Sequence, residues 1–166
     1  MQSRLEYSTI DPDAYKAMLA VETYVRRSGL ERSLLELVKL RASQINGCAF
    51  CIDMHWKDAR ANGETEQRLY GLDAWREAAY YTPRERAALA WTEALTLVAS
   101  THAPDEAYDE AAAHFTSGEM VKLSMAIVVI NGWNRLAIGF RTVPGTYQPP
   151  ARIHHEDTKI TKTHAD

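Results

Sequence analysis

The chain has 166 residues, of which 46% are hydrophobic and 25% charged, and a formal net charge of -3 at pH 7. That length suits one domain, or one domain with tails, and buries roughly 70% of the surface the unfolded chain exposes. Two cysteines cannot staple a small secreted scaffold, and the charge balance gives no global attraction to nucleic acid or anionic lipid. The most apolar run, residues 125–130, is far short of the ~20 residues a bilayer span needs. The N-terminal stretch MQSRLEYSTIDPD has no apolar core of the kind a secretory signal carries. The expectation is a cytoplasmic globular protein that engages neither nucleic acid nor membrane.

Glycine and proline punctuate the sequence. Asp11-Pro12-Asp13 opens a first helix, predicted to run to about residue 27, with Pro12 in its first turn. Tyr15, Met18, Leu19, Val21, Tyr24 and Val25 recur there at helical spacing. A second helix spans about 31–45, and Asn46-Gly47 stops it, both residues tolerating the left-handed conformation. A third runs from about 48 to 61 and ends at Asn62-Gly63, and a short polar helix follows near 65–72. Thr82-Pro83-Arg84-Glu85 reads as a capped helix start, with Thr as cap, Pro at the first position and Glu at the third. Another helix begins at Pro104 and reaches about 115. The last spans about 117–140 and is apolar almost all round, which predicts a helix buried on most faces. Its β-branched residues 127–130 have no second strand to pair with. The fold class is all-α, with six to eight helices over residues 1–142. Residues 143–166, rich in proline and mixed charge, are expected to form an extended or disordered tail. His154-His155 in that tail lack the further ligands a metal site needs.

The informative stretch is ELVKLRASQINGCAFCIDMH, residues 36–55. Both cysteines, Cys48 and Cys51, fall in the first turn of a helix directly after a glycine stop. Unpaired N–H groups and the positive end of the helix dipole favour a thiolate there, lowering a cysteine pKa from its free value near ~8.5. A C-x-x-C pair also closes into a disulfide with little backbone movement. His55 lies one turn beyond Cys51 on the same helix face, placed to take a thiol proton; Cys48 is a turn farther away. Glu36, on the preceding helix, has two readings: a carboxylate facing His55, or an ordinary pair with Lys39 three residues on, on a solvated face. Cys48, Cys51 and His55 also suit three zinc ligands, though a fourth would have to come from far away. A third reading makes them inert core residues. His102 and His114 read as surface or capping residues. No phosphate loop, serine elbow or nucleotide fingerprint is present, so no organic cofactor is implied.

The pattern Glu36-x-x-Lys39-Leu40-Arg41-x-Ser43-Gln44-x-Asn46-Gly47-Cys48-x-x-Cys51-x-x-x-His55 resembles the core motif of the alkylhydroperoxidase AhpD-like proteins, within the carboxymuconolactone decarboxylase superfamily. The resemblance implies an all-α AhpD-like fold and a peroxidase acting on a hydroperoxide. In it Cys51 attacks the peroxide, Cys48 resolves the sulfenic acid to a disulfide, and Glu36 and His55 relay protons. It implies re-reduction by a thiol or dithiol protein, lipoylated or thioredoxin-like, and assembly as a homo-oligomer, trimer or hexamer. Phe50 departs from the family pattern, where a histidine precedes the second cysteine. The superfamily's decarboxylase branch does not use a cysteine pair. The alternative is a carboxymuconolactone decarboxylase-like enzyme, or a non-peroxidase redox or metal-binding oligomer.

Overall fold

A computed structural model describes residues 2–150 of the chain. Among the described residues there are nine α-helices, one 3-10 turn and no strand, so the all-α expectation holds. The helices are α1 Tyr7–Ile10, α2 Pro12–Arg26, α3 Arg32–Asn46, α4 Ala49–Ala61, α5 Glu66–Tyr70, α6 Pro83–Thr96, α7 Val98–Thr101, α8 Asp105–Ala112 and α9 Ser117–Phe140. The number exceeds the six to eight expected because α1 and α7 are single turns without an apolar period. The helix begun at Pro104 ends at Ala112, earlier than its apolar residues imply.

The helix starts follow their local chemistry. The Asp11 carboxylate accepts from Ala14 N–H at 3.0 Å ahead of Pro12. Thr82/Glu85 and Thr116/Glu119 form reciprocal capping boxes at α6 and α9, each satisfying two otherwise orphaned donors.

The core is built on α3, which packs against α4, α6 and α9. Being enclosed on several sides, α3 buries Leu34, Leu35, Leu37, Val38, Leu40 and Ala42 and not one stripe of them. Each large apolar side chain so buried contributes about 1.5–3 kcal/mol. Trp75, Tyr81 and Trp91 are core residues of this chain. α9 is long and apolar enough to cross a membrane by length and composition, yet it packs against α2, α3, α4, α6 and α8. It is less enclosed than its sequence predicts: Val121, Val128 and Ile138 are exposed.

Residues 143–150 carry no regular structure, but they are tied to α4. Lys57 Nζ donates to the Tyr147 carbonyl at 3.0 Å, Gly145 N–H to Asp53 Oδ2 at 3.2 Å, and the Tyr147 hydroxyl to Asp58 Oδ1 at 2.8 Å. The His154-His155 pair lies outside the described residues.

Candidate active site

The corner between α3 and α4 places the cysteines. Gly47 adopts φ 70°, ψ 32°, a conformation that costs a side-chain-bearing residue about 1–2 kcal/mol. The turn is a Schellman motif, with Gly47 N–H on the Gln44 carbonyl at 3.1 Å and Cys48 N–H on the Ser43 carbonyl at 3.0 Å. One residue after this stop, Cys48 is the N-cap of α4, and its Sγ accepts from Cys51 N–H at 3.4 Å. Both thiols are free and buried.

The two thiols titrate in opposite directions, where a shared helix-end effect predicts lowering of both. Cys48 is held down to about 7 by the hydrogen bond from the Cys51 thiol, against the opposing pull of burial, with backbone N–H groups and Asn134 assisting. Cys51 is pushed up because its thiol donates to Cys48, because it is buried, and because Cys48 carries the charge. Of the two, Cys48 is the more readily ionised and Cys51 the one that keeps its proton. A buried amide network backs it. Asn46 Nδ2 donates to Asn131 Oδ1 at 2.9 Å and Asn134 Oδ1 at 2.8 Å, and Asn134 Nδ2 donates to Ser43 Oγ at 3.0 Å.

Glu36 and His55 meet across the helix pair. His55 Nδ1 and Glu36 Oε2 are 2.8 Å apart, and both residues are buried, at 5% and 6% exposure. Burial works against the Glu36 carboxylate. The hydrogen bond from His55 and the positive charges of His55, Lys39 and Arg32 outweigh it, holding the group below the usual carboxylate range. The surface pair of Glu36 with Lys39 is not formed: Lys39 is itself buried and its ammonium meets Glu22 of α2. That leaves Glu36 free to turn inward.

Cys51, His55 and Glu36 line one cavity of about 330 Å³, together with Asp58, Phe50, Met54, Tyr7, Tyr15, Trp133 and Tyr147. His55 is committed to Glu36, and Cys51 to Cys48. The imidazole thus shares the cavity with Cys51 and gives its Nδ1 hydrogen bond to the carboxylate. The zinc set of Cys48, Cys51 and His55 is not assembled among the described residues. The three groups whose ligand atoms lie within 4.8 Å of one another are Glu36, His55 and Asp58, and two of these are already satisfied by one another and the third by Tyr147. His102 caps α7 and His114 is exposed, both away from this cavity. Asp58, Tyr147 and Asn134 were not legible as site residues. Tyr147 and Asn134 lie more than 80 residues from the positions they meet, and no spacing rule reports such contacts.

Helices arranged this way, with a C-x-x-C pair at a helix start beside a buried Glu–His pair, define an AhpD-like helical protein. The chain belongs to the carboxymuconolactone decarboxylase family, whose model matches residues 12–94, half of its length. It is 47% identical over 138 residues to the uncharacterized protein YdfG of Bacillus subtilis, spanning 83% of this chain and 94% of YdfG. Among solved structures it resembles a protein of unknown function, ATU0492 from Agrobacterium tumefaciens, proposed there to be the antioxidant defence protein AhpD. The two share 48% identity and a TM-score of 0.86, over 88% of this chain and all of ATU0492. The debrominase Bmp8, at 18% identity and TM-score 0.76 over 83% of this chain and 74% of its own, shares the fold alone.

Proposed function

We propose that this protein is a thiol peroxidase in which Cys51 attacks a hydroperoxide and Cys48 resolves the product. The observation that carries the reading is the cavity that Cys51 shares with the buried Glu36–His55 pair, with Cys48 as its neighbour at the start of α4. Cys48 is the stabilised thiolate, and Cys51 is the thiol that shares space with Glu36 and His55. Cys48 takes the Cys51 proton across their hydrogen bond. The Cys51 thiolate then attacks the terminal peroxide oxygen, the O–O bond breaks, and the electron pair leaves on the alkoxide. Cys48 returns its proton to that alkoxide, giving the alcohol and leaving sulfenic acid on Cys51. The Cys48 thiolate next attacks Cys51 Sγ and expels hydroxide, which takes a proton supplied through His55 and Glu36 and leaves as water. The balance is one hydroperoxide reduced and two thiols oxidised to one disulfide. Aromatic walls formed by Tyr7, Tyr15, Phe50 and Trp133 favour an organic hydroperoxide over hydrogen peroxide.

Stopped-flow peroxide consumption by single variants tests this. Cys51→Ser should abolish the reaction, and Cys48→Ser should turn over once and stall as a sulfenic acid that dimedone traps. Glu36→Gln and His55→Ala should slow it by about 10²- to 10⁴-fold, the usual size of a general acid–base contribution. A trappable sulfenic acid on Cys48 in Cys51→Ser, formed at the wild-type rate, would reverse the roles. Assembly with copies of itself, as a trimer or hexamer, is part of the same proposal. Exposed Val121 and Val128, two turns apart on one face of α9, support it, and a solution mass of one 18.7 kDa chain would remove it.

A further inference from the structure

Two cavities meet the cysteine pair, and the chemistry above uses only one. Phe50 and Ala137 line both and form the wall between them. The second cavity, about 620 Å³, is lined by Cys48 and Gly47 from the α3–α4 corner, by Arg4 from the N-terminal segment, and by Ile138 and Arg141 from the end of α9.

Its charge is of one sign. Arg4 and Arg141 are its charged lining residues and no carboxylate lines it. Among the described residues neither guanidinium enters a salt bridge. Arg4 is held in place by donating to the Gly139 carbonyl at 2.9 Å. Ala49 and Phe50, in the first turn of the 13-residue α4, line the same cavity, at the positive end of that helix's dipole. The Cys51 cavity is the opposite case. Glu22, Glu36 and Asp58 line it, and its cations Lys39 and Arg26 are both paired with Glu22.

We propose that the Cys48 cavity is where the reductant reaches the oxidised pair, and that it takes a small anionic thiol or dithiol whose carboxylate is held by Arg4 and Arg141. The proposal rests on the redox reading of the pair, though not on peroxide as its oxidant. The reductant thiolate attacks Cys48 Sγ of the Cys48–Cys51 disulfide. The S–S bond breaks and its electron pair goes to Cys51 Sγ, which takes a proton from the Glu36–His55 side. A second thiolate, or the other sulfur of a dithiol, attacks the reductant sulfur of the mixed disulfide. That releases Cys48 as thiolate and the reductant as its own disulfide, two thiols being oxidised for one disulfide reduced. Oxidant and reductant thus approach opposite sulfurs through separate openings, with Phe50 between them.

The test uses the full chain with the pair oxidised by diamide. Re-reduction is followed by quenched thiol counting with 3-mercaptopropionate, 2-mercaptoethanol or cysteamine, each at the same thiolate concentration. The expected order is anionic over uncharged over cationic thiol, with a preference on the order of tenfold that shrinks as salt is added. In the Arg4→Gln/Arg141→Gln double variant the ratio of anionic to uncharged rates should fall to near one, and Arg141→Glu should invert it. Arg141→Gln alone keeps the test valid if losing the Arg4–Gly139 contact loosens the fold. Rates set by thiolate concentration alone, or a preference that survives in both variants, would overturn the proposal. If diamide closes no disulfide between Cys48 and Cys51, the redox reading itself fails and takes the proposal with it.

Discussion

Replacing Cys51 by alanine should raise the pKa of the remaining thiol. Cys48 is drawn well below the ordinary thiol range, down to about 7, with the Cys51 thiol as the leading cause and burial opposing it. At 1.36 kcal/mol for each pH unit, the thiolate is favoured by roughly 3 kcal/mol net. A hydrogen bond to a charged group is worth about 1.5–3 kcal/mol, so losing that donor moves the Cys48 midpoint up to about 8 to 9. The Cys51 N–H at 3.4 Å, the Phe50 N–H and the Asn134 amide remain and keep the shift from going further. At pH 7 the thiolate fraction then falls from about one half to about one tenth or below. Ultraviolet thiolate absorbance and the pH dependence of iodoacetamide alkylation both read this midpoint. Cys51→Ser keeps a hydroxyl donor at the same place and should titrate below the alanine variant. An alanine variant that still titrates at about 7 would refute the argument, leaving the helix N-terminus as the sole cause.

Under reducing conditions stability should rise between pH 7 and about 9 and fall beyond. The Cys48 contribution, from a depressed folded-state pKa of about 7, is lost as pH falls through that value; the Cys51 contribution, from a raised one, is lost as pH climbs above the unfolded value. Urea midpoints across this range should show the rising limb flattened in Cys48→Ala, and both limbs flattened in Cys51→Ala, where Cys48 loses its thiol donor. Gly47→Ala meets no atom within 4 Å, so its cost is backbone strain alone, about 1–2 kcal/mol, read as a lowered urea midpoint. Tyr147→Phe removes the hydroxyl that donates to buried Asp58 at 2.8 Å. It should cost about 1–3 kcal/mol and speed proteolytic clipping after α9, and an unchanged clipping rate would show that Tyr147 does not hold the segment.

Local order was legible in the sequence because local rules produce it. Capping residues, prolines and the Asn46-Gly47 stop define where α2, α3, α4, α6 and α9 begin or end. Spacing along one helix was enough to set Cys48, Cys51 and His55 at the start of α4. What lay beyond those rules depends on how helices dock. Glu36 has a local partner in Lys39 and a distant one in His55, and only the packing of α2, which supplies Glu22 to Lys39, settles the choice in favour of His55. The opposite titration of the two thiols follows from the hydrogen bond between them and from Asn134 on α9, neither of which a C-x-x-C spacing reports. Asp58 gains its role from Tyr147, 89 residues away, and the separation of two cavities by Phe50 exists only once α4 lies against α9. A helix is determined by its own backbone hydrogen bonds and caps. Which buried polar groups meet is determined by the one arrangement that satisfies them all, and that is a property of the packed molecule.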